Sequence, residues 1–294
     1  MINVIEVSSL SKFYGKARGI VDVSFFIPKG VIFGFIGPNG AGKSTTIRIL
    51  LSLIYPSSGY AAIFGMDCTK LGHKIRERVG YIPAETHLYD DMKVRDFVKY
   101  AARFYKNISQ KRIDFLCDRL DIELNKRISD LSTGNKKKLS IMQALIHEPE
   151  LLILDEPTTG LDPLMQNRLY DILKSEKAQG KTIFFSSHIL SEVQKMCDEV
   201  AIIKEGRILD IENIDMLRSN YYKKMKIEFR NIYDAESFEP EKAVILNRTG
   251  RRAEFIFHGD MNLIIKSISA YEIDNLWIDE PALEDIFINY YQKE

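Results

Sequence analysis

Residues 37–44 read Gly37-Pro38-Asn39-Gly40-Ala41-Gly42-Lys43-Ser44, which fits GxxxxGK[ST], a loop that wraps phosphate. Phosphate needs several backbone N–H groups aimed inward at close range. Gly37, Gly40 and Gly42 permit that approach and the unusual φ/ψ it demands. The stretch before the loop, VIFGFIG (31–37), reads as a buried strand, and the pattern after it as a helix from Lys43 to about Leu53. That order aims the positive end of the helix at a bound anion. Lys43 is expected to reach the β- and γ-phosphates of a nucleotide, and the Ser44 hydroxyl to ligate Mg²⁺. Pro38, Asn39, Ala41 and Thr45 complete the expected nucleotide-binding set.

Outward from the loop, Leu151-Leu152-Ile153-Leu154-Asp155-Glu156 is an apolar run ending in two carboxylates. Buried charge without a partner is costly, and a metal ion supplies a partner. Asp155 is suited to hold Mg²⁺. Glu156, on the other face of the strand end, is placed to polarise an attacking water.

Further apolar runs at 3–7, 20–27, 79–82, 182–186 and 199–203 read as strands. Helical periodicity covers 93–105, 110–120, 134–146, 164–176 and 189–197. Strands alternating with helices imply a largely parallel sheet covered on both faces. Residues 85–147 carry helical patterns without a clear strand and read as a helical insertion. Glu205-Gly206 reads as a hairpin turn. After about residue 218 the texture changes: KMKIEFR alternates, AVIL and EFIF are short strands, and PALEDIFINYY is a terminal helix pattern. This predicts a cassette over 1–218 and a small α+β domain over 219–294.

These motifs resemble those of the ATP-binding subunits of ATP-binding cassette (ABC) transporters. The resemblance covers about residues 2–218. Its distinguishing element is Leu131-Ser132-Thr133-Gly134-Asn135, similar to the family's LSGGQ signature and shortly upstream of the carboxylate strand. The implied fold is α/β: a P-loop NTPase cassette with a mostly parallel sheet, an antiparallel β element and a helical insertion. The implied chemistry is ATP hydrolysis with ATP and Mg²⁺ bound in a head-to-tail dimer. Ser132, Thr133, Gly134 and Asn135 would face the γ-phosphate held by a second ABC ATPase subunit, as homo- or heterodimer. Tyr14 sits where the family stacks an aromatic on adenine. Asp162, in Gly160-Leu161-Asp162, belongs to the loop joining the two sites. His188 follows the strand TIFFSS, at the position of a γ-phosphate-sensing histidine. The chain departs from the family at three places. Ala84 stands where a glutamine is usual, so either Glu85 replaces its metal contact or water fills the gap. Thr133 adds a Cβ at a close approach, and Asn135 is a shorter amide, which together predict a working but slower site. The run Lys136-Lys137-Lys138 reads as a solvated helix face, with added potential near phosphate as the alternative.

The rest of the chain narrows the partners. It has 294 residues, 45% hydrophobic and 28% charged, with 41 basic and 41 acidic side chains. Zero net charge gives no global field for nucleic acid, and none is expected as a partner. Cys68, Cys117 and Cys197 lack any CxxC pairing, which favours a reducing compartment. MINVIEVSSL lacks the features of a signal peptide. The longest uncharged stretch, Ile49 to Met66, is broken by Pro56-Ser57-Ser58-Gly59 and reads as helix, turn and strand rather than a membrane span. Transport therefore requires a separate integral-membrane permease, with the subunit peripheral on the cytoplasmic face of the membrane. The Leu-Glu-Asp ending of the tail resembles export-type subunits. The competing reading is a soluble ABC-type ATPase in DNA or ribosome metabolism. It lacks the coiled-coil insertion or second cassette that such proteins carry.

Overall fold

The structure, a computed structural model, describes residues 3–106, 108–215 and 222–280. The chain divides into two compact units, Met1–Ile211 and Glu212–Glu294. The sequence boundary at 218/219 and the tail pattern 281–291 lie outside the described residues.

The first unit opens with β1 (Asn3–Tyr14) and β2 (Ala17–Pro28), longer than the sequence pattern predicted. β3 (Ile32–Ile36) runs fully buried into the glycine-rich loop. The helix α1 (Lys43–Leu50) follows and ends three residues earlier than expected, as Leu51 leaves helical geometry. β4 (Ser58–Ile63) and β5 (Met66–Asp67) then join β1 and β2 in an antiparallel sheet of order β2-β1-β4-β5. Of the expected turn at residues 56–59, Pro56 and Ser57 lead into β4, and Ser58 and Gly59 already belong to the strand.

The second sheet has the order β10-β9-β3-β8-β7-β6. Its members are β6 (Val79–Ile82), β7 (Leu151–Asp155), β8 (Thr182–Ser187), β9 (Glu199–Lys204) and β10 (Arg207–Asn213). β3 pairs in parallel with β8 and β9, and β7 with β6 and β8. Consecutive parallel neighbours need crossovers, and the helices of the chain supply them. Phe25 of β2 meets Phe33 and Phe35 of β3 and Phe184 of β8, with ring centroids 5.6–6.0 Å from it. This aromatic layer locks the two sheets face to face. Each such pair is worth about 0.5–1.5 kcal/mol beyond area burial.

Between β6 and β7 lie α2's successors in the insertion. α2 is Gly72–Arg76, before β6; α3 (Val94–Ala102), α4 (Gln110–Leu120) and α5 (Thr133–Leu145) form the insertion itself. A single bridge, Lys93 to Arg127, is the only β pairing in it among the described residues. Arg112 of α4 reaches Glu176, 2.8 Å away on α6 (Pro163–Ala178), and the carbonyl of Leu145 at 3.1 Å. Glu176 is buried and is also paired with Lys181. This buried pair ties the insertion to the sheet domain.

His147, just beyond α5, stacks on Tyr105 with centroids 3.8 Å apart. Burial pushes its imidazole down to about 4, helped by Lys181 and Arg112. An unfolded histidine titrates near 6.5, so between that value and 4 the unfolded chain binds more protons. Stability from this site is complete above pH 6.5 and is lost as pH falls toward 4, by at most about 3 kcal/mol. Melting curves from pH 7 to 4 are expected to fall less steeply for His147→Gln than for wild type. Parallel curves would remove His147 as the cause.

The second unit is built from β11 (Tyr222–Phe229), a helix at Ile232–Ser237, β12 (Ala243–Thr249), β13 (Arg252–His258), a helix at Met261–Ile268 and β14 (Ile273–Asp279). Its antiparallel sheet has the order β12-β13-β11-β14, a split βαβ arrangement. Met225, Ile227, Phe229, Ala253, Phe255 and Phe257 pack with Phe238 and Ile264 as a separate core. The strand at 273–279 was not anticipated. Asp274, Leu276 and Ile278 alternate with Asn275, Trp277 and Asp279, so neither face is uniformly apolar.

Candidate active site

α1 is preceded by its N-cap residue Gly42, whose φ of +110° few side chains tolerate. A Cβ there would also lie 2.5 Å from Ile20 Cγ2. α1 carries no acidic residue in its first turn, which leaves its positive end uncompensated. Lys43 is buried, and its ammonium donates to the carbonyl of Gly37 at 2.6 Å and of Pro38 at 3.3 Å. The loop thus curls around its own lysine. Ser44 and Thr45 follow half-buried. Tyr14, half-exposed at the end of β1, has its ring edge beside Gly19 together with a Thr45 methyl.

β7 delivers the two carboxylates from its last residue and the one after. Asp155 is buried, and its Oδ1 accepts from Ser186 Oγ at 2.8 Å. Glu156 leaves the strand with a φ of +48°. A non-glycine residue in the left-handed region costs about 1–3 kcal/mol and clusters at functional sites. Its Oε1 lies 3.3 Å from Lys43 Nζ, an ion pair rather than an aligned hydrogen bond. Its Oε2 lies 2.8 Å from His188 Nδ1. An ionised Glu156 can only accept, so Nδ1 carries the proton. Lys43, Glu156 and His188 are therefore one connected group, and sequence distance gave no hint of their contact.

β8 sets His188 through Ser187, whose hydroxyl donates to Glu192 Oε2 at 2.7 Å. Tyr170 donates to the other oxygen of Glu192 at 3.1 Å. Ser186, Ser187, Glu192 and Tyr170 are buried supports that the sequence reading missed, since nothing local in the chain marks them.

Ser132 caps α5, accepting from the N–H of Asn135 at 3.3 Å, and α5 too has no acid in its first turn. Thr133 is exposed. A Cβ on Gly134 would lie 2.8 Å from the carbonyl oxygen of Gly160, so the signature segment packs on the loop before Asp162. Asp162 caps α6 through the N–H of Met165 at 2.9 Å.

Two expectations fare differently. Glu85 is 89% exposed with His87 as its neighbour at 3.7 Å, so it does not join Ser44 and Asp155. The solvated face expected for the lysine run is corrected. Lys137 is 2% exposed and donates to the carbonyls of Pro83 at 2.8 Å, Glu156 at 3.1 Å and Ala84 at 3.2 Å. Burial lowers its ammonium to about 8, against the pull of Asp155 and Glu156. Lys136 pairs with Asp90 at 2.7 Å, and Lys138 lies 3.6 Å from Asp121. The helical period turns the middle lysine inward while its neighbours stay at the rim.

Residues 20–159 match the family model described as ABC transporter. The chain is 33% identical over 304 residues to the bacitracin transport ATP-binding protein BcrA of Bacillus licheniformis, spanning 98% of this chain and 97% of that protein. The chain belongs to the ABC transporter ATP-binding proteins. It is 32% identical to the Nod factor export ATP-binding protein I of Rhizobium johnstonii, over 99% of this chain and 95% of the relative. A solved ATP-binding subunit of an ABC transporter superposes with a TM-score of 0.68 at 32% identity, covering 73% of this chain and 92% of that one. The cassette is accordingly a P-loop ATPase that binds ATP and serves an ABC transporter. Subunits of this family generally dimerise and pair with membrane permeases. No helix among the described residues of the cassette protein is long and apolar enough to cross a membrane.

Proposed function

We propose that the chain is the motor of an exporter, closing as a head-to-tail dimer on two ATP molecules and driving a separate permease from the cytoplasmic face of the membrane. The observation that carries this reading is the Lys43–Glu156–His188 group at the mouth of the phosphate loop. Lys43 holds the β- and γ-phosphates. Glu156 takes the proton of the attacking water as it adds to the γ-phosphorus and ADP leaves, while His188 orients Glu156. Tyr14 stacks on adenine. The segment 132–135, capped by Ser132, covers the γ-phosphate of the partner subunit's ATP, and Asp162 lies on the loop linking the two sites.

Among the described residues no cluster of three or more His, Cys, Asp or Glu could hold a metal by itself. Mg²⁺ does not need one, since it is held by one or two carboxylates plus substrate phosphates. The buried carboxylate of Asp155 and the Ser44 hydroxyl are hard oxygen donors of that kind, which supports their role. When bound, the ion would neutralise charge on the phosphates. Glu85 is not retained for this role, given its exposure. The assignment of 1–218 as cassette and 219–294 as accessory domain belongs to the same proposal. Export is favoured because two relatives that span nearly the whole chain are named for bacitracin transport and Nod factor export. No observation favours the DNA or ribosome reading.

Purification of Glu156→Gln from native membranes in mild detergent with ATP tests this. A multi-spanning membrane protein in stoichiometric amount is the expected companion. A second, different cassette chain would make the dimer a heterodimer. Recovery of ribosomes or DNA instead would overturn the transporter reading.

A further inference from the structure

We infer that Lys137 is a positioning residue for hydrolysis: its ammonium clamps the segment after β6 to the backbone of the catalytic glutamate. An ammonium has three N–H donors, and here three carbonyl oxygens from two separate segments converge on them. Pro83 and Ala84 close β6 and open the insertion. Glu156 ends β7 in its left-handed turn. The Glu156 carbonyl also accepts from the N–H of Thr159 at 3.3 Å, so Lys137 is one of two donors on this carbonyl.

The third body in the clamp is α5 itself. Lys137 stands about one and a half turns after Ser132, so the helix that opens with the signature segment carries the lysine that holds the glutamate. A shift of α5 or of the segment at Pro83-Ala84 is thereby passed to the backbone that aims Glu156. A 1 Å misplacement of a reacting group can cost about a hundredfold in rate, so such a clamp acts on turnover. It touches neither the loop at 37–44 nor Tyr14, so it leaves nucleotide affinity alone. The departure at Ala84 fits this: the link at that position runs through its backbone carbonyl, which every residue supplies.

The inference rests on Glu156 as the base that activates water, and the test separates the two. Full-length Lys137→Met keeps the apolar stem and removes the donors. Its kcat for ATP is expected to fall about tenfold or more with KM and nucleotide Kd within about twofold. Amide exchange over residues 84–87 and 156–159 is expected to accelerate while the rest of the cassette keeps its protection. Lys137→Gln, which retains two shorter-reaching donors, should recover part of both. Turnover within about twofold of wild type in the methionine chain, or equal proportional losses in kcat and affinity, would overturn the clamp. If the methionine chain does not fold, the glutamine chain decides. Faster exchange at the two segments with unchanged affinity supports the clamp, and unchanged exchange there removes it. The exchange readout does not depend on which residue is the base, so a failure of Glu156 in that role shows separately, as undiminished hydrolysis by Glu156→Gln.

Discussion

Glu156→Gln is expected to cut ATP turnover by about 10²–10⁴-fold, equivalent to about 3–5 kcal/mol of barrier, while nucleotide affinity stays within about threefold. The amide fills the same space but cannot take a proton. It also no longer presents the charge that faces Lys43 at 3.3 Å and His188 at 2.8 Å. The Lys43 ammonium is then freed for phosphate, so binding should hold or tighten while chemistry stops. Single-turnover hydrolysis with radiolabelled ATP, beside equilibrium binding of a fluorescent analogue, reads both quantities. Hydrolysis at the wild-type rate would remove Glu156 from the reaction and leave His188 as the group to test next.

Lys43→Ala should do the opposite: affinity for ATP falls first. Lys43 is 6% exposed, and its charge is held by two loop carbonyls and one carboxylate. Truncating one member of a buried charge pair costs about 2–5 kcal/mol, a loss of roughly thirtyfold to several thousandfold in affinity. Two losses add here. The phosphates lose their cation, and Glu156, 14% exposed, loses its ion pair. Calorimetric titration with ATP measures the first, and thermal unfolding without nucleotide the second. Normal ATP affinity in a folded Lys43→Ala chain would break the assignment of the loop.

The parts of the site that could be read from sequence are those written in one stretch. GPNGAGKS, LLILDE and LSTGN each contain their own reason, since glycine spacing, an apolar run ending in acids, and a cap before a helix are local facts. The alternation of strands and helices likewise exposed the parallel sheet. What escaped reading depends on distant partners. Lys137 meets Pro83 across 54 residues and Glu156 across 19, and three lysines in a row look like surface until a helix period and two carbonyl-bearing turns are placed around them. Ser186 reaches Asp155 across 31 residues and carries no motif of its own. Glu85 shows the converse: proximity in sequence to a family position left its side chain exposed beside His87. In the second unit, mixed polarity hid β14, whose place is set by pairing with β11.

The approach of Gly134 to Gly160 has a mechanical consequence. Main chain rests on main chain there, with no rotamer between them to take up slack. A displacement of the opening of α5 toward the turn ahead of Asp162 therefore meets backbone at once. In the head-to-tail pair proposed above, the first segment would cover the partner subunit's ATP and the second would lie on the loop linking the two sites. Each protomer would then carry a direct backbone contact between the segment over one ATP and the loop joining both sites, giving one site a way to register whether the other is still loaded.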